Sequence, residues 1–494
     1  MTLDSEASIA VLRPSDPGAR ERDYGRTPRL KGRKRILGGT GRRGGFIDMN
    51  GHIAEYREKC VSADEAMKAV RSGDWIESSW AASQACLLDE ALAKRTEELH
   101  DVNFRGAVLL KPIACFERDP KGEHFTWNTW HAGGLERKMM RQGVAYFLPI
   151  KYSEVPRYVR ENQRTDVVAI QVAPMDEHGY FSFGVTVSHY AAACEMARTI
   201  IVEVNEDMPK VHGGYDHAVH ISKVDYVVEG GHLGLPELPS ASPSETDRRI
   251  AEYILPEVAD GACIQLGIGG MPNTLGKMIA ESDLKDLGIH TEMLVDAMVD
   301  MVEAGRVTGM RKTIDRGRVA WSFAAGTQKL YDFMNDNPSL AAYPVDYTNA
   351  ACISSQNDQV VSINGALEVD LAGQVCSETA GTSHVSGAGG QLDFVLAAYG
   401  SKGGKSFICL PSTYSDKQGK VHSRIKPIPT PGAVVTGTRS TIHYLVTEYG
   451  MINLKGMTSW QRAEALISIA HPDFRDELIA EAGELGIWRR KTSI

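Results

Sequence analysis

A chain of 494 residues, 43% hydrophobic and 24% charged, is long enough for two or more domains, each expected to bury its own core. It has no run of about 18 consecutive apolar residues, which argues against a membrane-spanning helix, and its net charge of −9 argues against a general nucleic-acid binder. The eight cysteines are scattered, with no C-x-x-C pair and no zinc-spaced cluster, which implies a reducing cytosol and no structural metal.

Residues 1–48 form a basic, Gly/Pro-punctuated stretch that reads as a disordered tail. Only Ile9 to Leu12 approaches an apolar signal region, and the interspersed acids are unlike a transit peptide, so no export is expected. "GGTGRRGG" from Gly38 lacks the Lys-Ser/Thr and the preceding strand of a phosphate loop and reads as linker. In the first half Ser62 and Glu65 read as a capping box opening a helix; Ser72-Gly73 then turns the chain into a strand from Trp75 to Ser78. His212, His217 and His220 in "VHGGYDHAVH" have no acidic or Cys partner at ligand spacing, so no metal site is assigned to them.

A Gly/Pro/Ser-rich stretch near "EGGHLGLPELPSASPSE" marks a domain boundary, after which the pattern repeats. Ser242 and Glu245 read as a second capping box with Pro243 at the first helical position; Asp260-Gly261 and a strand from Cys263 to Leu266 follow. Gly73 and Gly261 are 261 − 73 = 188 positions apart; Asp176 and Asp370, each three residues before a glycine, are 370 − 176 = 194 apart. These offsets predict a duplicated fold of two similar open α/β domains, residues 49–235 and 236–494, with mostly parallel sheets and helices on both faces.

Ligands of such sheets sit at the carboxyl ends of the strands. There the first half reads "SSWAASQ" and the second "GIGGMPN", whose Gly267, Ile268, Gly269, Gly270 and Met271 could bring backbone amides close to an anionic ligand or could simply turn the chain. "GIHTEMLVDAM" resembles a strand passing into a helix and carries Glu292, which is either a carboxylate at the surface or paired with an Arg or Lys, or a catalytic one; the matching region of the first half, near Val102 to Gly106, has none. "SGAGGQLDF" supplies a second glycine loop with Gly387, Gly389, Gly390 and Asp393, and "SKGGKS" follows with Lys402. Amides of such a loop can stabilise an oxyanion, whereas the bland alternative is a loop beside solvated charges.

"GIGGMPN", "GIHTEM", "NDNPSLAAYPVDYTN", "VSINGALEVDLAGQVCSE", "GAGGQLDF", "SKGGKS", "VTEYG" and "AHPDFRDEL", in this order, make the chain from about Ile53 to Leu478 resemble the family I coenzyme A transferases, within the acetyl-CoA hydrolase/transferase group and its 4-hydroxybutyrate and butyryl-CoA:acetate branch. The resemblance implies Glu292 as nucleophile, Gly387 to Asp393 as oxyanion loop, and Gly267 to Met271, Leu367, Gly390 and Lys402 as contacts to CoA. It further implies ping-pong transfer of CoA between a short-chain acyl-CoA and a carboxylate such as acetate, through a glutamyl-CoA thioester. CoA is then a co-substrate and no cofactor is tightly bound. The expected protein is a cytoplasmic homodimer, or a multiple of one, without nucleic-acid or membrane partners. A hydrolase on the same fold and a silent acyl-CoA sensor are the alternatives.

Overall fold

A computed structural model describes residues 49–239 and 242–489; the basic tail expected at residues 1–48, with its Gly38 loop, lies outside the described residues. The first half forms a seven-stranded parallel sheet from β1 (Trp75–Trp80), β2 (Val102–Ala107), β3 (Phe125–Thr129), β4 (Ala145–Phe147), β5 (Val167–Val172), β6 (Thr199–Asn205) and β7 (Tyr226–Gly231), in the order β4-β3-β2-β1-β5-β6-β7. "VVAIQV" of β5 is buried at every position, the pattern of a strand covered on both faces.

The second half repeats this plan. Its strands β8 (Cys263–Leu266), β9 (Gly288–Ile289), β10 (Val319–Trp321), β11 (Leu340–Ala342), β12 (Val360–Gly365), β13 (Lys405–Cys409) and β14 (Tyr444–Thr447) run parallel in the order β11-β10-β9-β8-β12-β13-β14, a bridge between His290 and Ala320 joining β9 to β10. Gly450–Asn453 adds an antiparallel edge. The central strands start at Trp75 and Cys263, again 263 − 75 = 188 apart. Asp176 accepts the amides of His178 and Tyr180, and Asp370 those of Ala372 and Gln374, while Gly179 and Gly373 take φ +82° and +88° in the same tight turn. Identical turn chemistry at corresponding places is what a duplicated fold predicts.

One sequence expectation is corrected. The helix after the link is Glu245–Ile254, capped reciprocally by Ser244 and Asp247 rather than by Ser242 and Glu245, and Pro243 precedes the cap instead of occupying the first helical position. "SETD" competes with "SPSE" for the same motif, and placing Pro243 outside leaves the restricted residue before it free to stay extended. Each half has an apolar cluster of its own, around Phe104 and Trp127 in the first and around Ile408 and Leu445 in the second, and a further cluster runs from Trp80, Tyr152 and Phe183 of the first half into Val295, Trp321 and Phe323 of the second. Trp80 lies 5.5 Å from Phe323, edge to face, because the two sheets bury the loops at their carboxyl ends against one another.

Candidate active site

Glu292 stands between two short strands. After β9, Met293–Leu294 pairs with Phe323–Ala324, and the amides of Ser322 (3.0 Å) and Phe323 (2.9 Å) both donate to the Glu292 carbonyl. This pins its main chain while the side chain, partly exposed, leaves the carboxyl edge of the sheet. Asn349 Nδ2 donates to Glu292 Oε2 at 2.7 Å. Burial pushes the carboxyl up to about 7; the Asp393 charge adds to this, while Asn349 and the Gly390 amide oppose it. Near neutral pH the carboxyl is therefore partly ionised in a poorly solvated setting.

Gly390 lies directly against this group, where a methyl would overlap both the Glu292 carboxylate and the Asn349 amide. Gly389 has φ +50°, open to glycine and strained for other residues. The first half holds the loop in place. Gly387 packs on the Trp130 carbonyl with no room for a Cβ, the Ala132 amide donates to Ser386 O at 3.1 Å, Arg137 Nη1 to Val385 O at 2.6 Å, and the Tyr152 amide to Gly389 O at 3.2 Å. Asp393, expected to belong to the oxyanion loop, instead sits in the first turn of helix Gln391–Gly400, fully buried, with Lys151 Nζ at 3.1 Å and Ser153 Oγ at 2.8 Å. It ties the loop to the first half rather than facing a ligand.

"GIGG" occupies the same edge. Gly269 takes φ +133° with nothing close to a would-be side chain except Pro272, and Gly270 opens the helix Gly270–Glu281. Ile268 is exposed, and the helix N-terminus beside it has no side-chain cap, with Asp247 Oδ2 close to Gly270. A cavity of about 190 Å³ joins Ile268, Gly269, Gly270 and Asn273 to Met293, the neighbour of Glu292, and Met271 is buried beneath. Leu367 follows β12 at this edge, and Gln391 Nε2 donates to Gly365 O at 2.6 Å, bringing β12 to the Gly390 loop.

Lys402 is not brought to the site. Its carbonyl accepts the Gln359 amide ahead of β12, so it lies at the amino edge of the parallel sheet, 87% exposed and 4.0 Å from Asp358. A glycine-rich "SKGGKS" turn between helix and strand looks the same in sequence at either edge. Sequence inspection also missed Asn349, although it ends the quoted "NDNPSLAAYPVDYTN", as well as Tyr152, Lys151 and Ser153, whose roles exist only across the interface between the halves. Among the histidines, His212 pairs with Asp336 at 2.9 Å and His220 caps the turn at Ser222.

In the first half the equivalent edge is filled by its own side chains. Trp75 pairs with Asn103 as Cys263 pairs with Gly288, so Glu292 corresponds to Ala107, just beyond the expected stretch. Gln84 Oε1 accepts the amides of Leu110 and Lys111, and Trp80, the last residue of β1, stands where the second half has Ile268 among its glycines.

The "Acetyl-CoA hydrolase/transferase N-terminal domain" matches residues 47–236, and the "Acetyl-CoA hydrolase/transferase C-terminal domain" matches residues 326–482. The chain belongs to the acetyl-CoA hydrolase/transferase family. It is an enzyme of the CoA-transferase class. It is 55% identical to butyryl-CoA:acetate CoA-transferase of Anaerostipes caccae, over 88% of this chain and 98% of that one. Identity to the 4-hydroxybutyrate coenzyme A transferase of Clostridium kluyveri is 39%, over 86% and 97%. The crystal structure of RipA from Yersinia pestis superposes with a TM-score of 0.82 at 39% identity, covering 88% of this chain and 99% of that one. Glu292 falls in the interval between the two matched segments. No described helix is long and apolar enough to cross a membrane.

Proposed function

We propose that the protein transfers CoA between a short-chain acyl-CoA of butyryl, 4-hydroxybutyryl or propionyl type and a carboxylate such as acetate, by ping-pong through a glutamyl-CoA thioester on Glu292. The observation that carries this reading is the Glu292 carboxylate, raised by burial and held between Asn349 and Gly390, with its chain neighbour Met293 lining the "GIGG" cavity. Glu292 attacks the acyl-CoA carbonyl and expels CoA thiolate, forming a mixed anhydride. The thiolate then attacks the glutamyl carbonyl, the acid departs, and the thioester remains. An incoming carboxylate reverses both steps, so thioester energy is kept without ATP.

The donors that hold the resting carboxylate are placed for the second attack. When the glutamyl carbonyl becomes tetrahedral, the Asn349 amide and the Gly390 N–H face its oxyanion, each contributing about 3 to 4 kcal/mol in comparable sites. Gly267 to Met271 with Leu367 and Gly390 hold CoA, while Lys402 stands at the opposite edge of the sheet. The apolar contact between the halves excludes water, which would otherwise hydrolyse the anhydride. CoA acts as co-substrate with no tightly bound cofactor, and the enzyme works in the cytoplasm as a homodimer or a multiple of it, with the boundary between its halves at residue 235.

The experiment is to incubate the protein with acyl-CoA alone, reduce with borohydride and map peptides by mass spectrometry. A reduced glutamate at Glu292, absent in Glu292→Gln, is the expected result; an unmodified Glu292 in protein that still exchanges acyl groups would overturn the mechanism. Label passing from acetyl-CoA into a free acid, faster than net CoA release, separates the transferase from a hydrolase.

A further inference from the structure

Ser188 has φ +38°, a left-handed conformation rarely adopted by a residue with a side chain, and it is fully buried. Such strain persists only where the surroundings over-determine it. Each polar group of Ser188 leads toward a different partner of Glu292. Its amide donates to Ser322 O at 3.1 Å, and Ser322 N donates to Glu292 O at 3.0 Å. Its carbonyl accepts the Val345 amide at 2.9 Å, and Val345 O accepts the Asn349 amide at 3.0 Å. Its hydroxyl lies 2.7 Å from the Tyr152 hydroxyl, and the Tyr152 amide donates to Gly389 O.

Behind the hydroxyl stands a buried ionic chain. Ser188 Oγ is 2.9 Å from His189 Nδ1, His189 Nε2 is 2.8 Å from Glu77 Oε1, and Arg105 Nε donates to Glu77 Oε2 at 2.9 Å. Burial works to raise the Glu77 carboxyl, but Arg105 and His189 outweigh it and hold it below the usual range. An ionised Glu77 only accepts, so His189 Nε2 carries a proton. The Ser188 hydroxyl is thereby held between the His189 ring and the Tyr152 hydroxyl. None of these residues contacts the "GIGG" cavity, so the mechanism so far gives a buried Arg–Glu–His chain no role.

We infer that Ser188 is a positioning residue for acyl transfer, a single hub that sets Glu292, Asn349 and the Gly389–Gly390 loop at their mutual distances, with Tyr152, His189, Glu77 and Arg105 fixing its hydroxyl. The inference rests on the reading of Glu292 as nucleophile. It explains why the half without a nucleophile keeps a charged chain pointing at the interface: that half supplies the rigid frame against which the second half's loop and strand are aligned.

The test compares Ser188→Ala, Tyr152→Phe and the double variant in the full chain. Both substitutions cut the hydroxyl arm from opposite ends and leave the backbone arms in place. The readout is the rate of glutamyl-CoA formation on Glu292 at saturating acyl-CoA, per active site titrated by the thioester amplitude, together with the KM for acyl-CoA. Each single variant is expected to slow thioester formation on the order of tenfold or more with KM within about twofold, the range by which misplacement of reacting groups slows chemistry. The double variant should be no slower than the slower single one, because one path is cut twice. A purely structural role would lower melting temperature and active fraction but leave the rate per titrated site unchanged, and that result overturns the inference; so do multiplicative effects in the double variant. If wild-type protein exchanges acyl groups without any Glu292 adduct, it is the nucleophile assignment that fails, and the hub falls with it.

Discussion

Replacing Glu292 by Gln should abolish transfer and, at alkaline pH, stabilise the fold. Burial raises the carboxyl from an ordinary 4.5 to about 7. Between these values the folded protein keeps a proton that the unfolded chain has released, so this group's contribution to stability falls as pH rises from about 4.5 to about 7. Above that window the ionised folded state carries the whole penalty. At about 1.4 kcal/mol for each tenfold change in proton affinity it amounts to about 3 kcal/mol. Gln keeps an acceptor for Asn349 Nδ2 and removes both the desolvated charge and its repulsion from Asp393. Denaturant unfolding of both proteins at pH 5 and pH 8.5 is the assay, checked for reversibility. The variant should be more stable by about 2 to 3 kcal/mol at pH 8.5, with most of this difference gone at pH 5. A pH-independent difference, or a less stable variant at pH 8.5, would refute the assignment of an unfavourably buried charge at Glu292.

Asn349→Ala removes a donor that lowers the Glu292 carboxyl, so the acid limb of the kcat/KM profile for acyl-CoA, expected near pH 7, should move to higher pH, with part of the lost rate recovered by pH 9. Gly390→Ala places a methyl on the carboxylate itself and should slow thioester formation by about 100-fold or more in a protein that still folds, checked by single-turnover mass spectrometry. Lys151→Met strips the buried Asp393 of its cation; the loss should be about 2 to 3 kcal/mol in denaturant unfolding, less than for a fully buried pair because Lys151 is 34% exposed and Ser153 remains. Lys402→Ala should leave the KM for acyl-CoA within about twofold in steady-state kinetics, since Lys402 sits at the opposite edge of the sheet; a tenfold rise would return it to the CoA site.

Several features were legible in the sequence because they are local. Strand and turn chemistry repeats at fixed offsets, so the duplicated parallel plan, the Asp176 and Asp370 turns and the strand starts at Trp75 and Cys263 could be read before any contact was known. Glycine loops and a lone glutamate at a strand end likewise mark the equipped half. The sequence could not decide which edge of the sheet a glycine turn faces: "GIGGMPN" and "SKGGKS" look alike, yet the first follows a strand and the second precedes one, and so Lys402 was misplaced. Nor could it pair Asn349 with Glu292, 57 residues apart, or reveal that Asp393 answers to Lys151 and that Ser188 joins three elements of the site. Those relations come from two sheets packing carboxyl edge to carboxyl edge across a shared apolar cluster. Strand periodicity and turn residues act over a few neighbours and are written in order along the chain, whereas the environment that raises the Glu292 carboxyl and aligns its partners arises only when distant segments exclude water together.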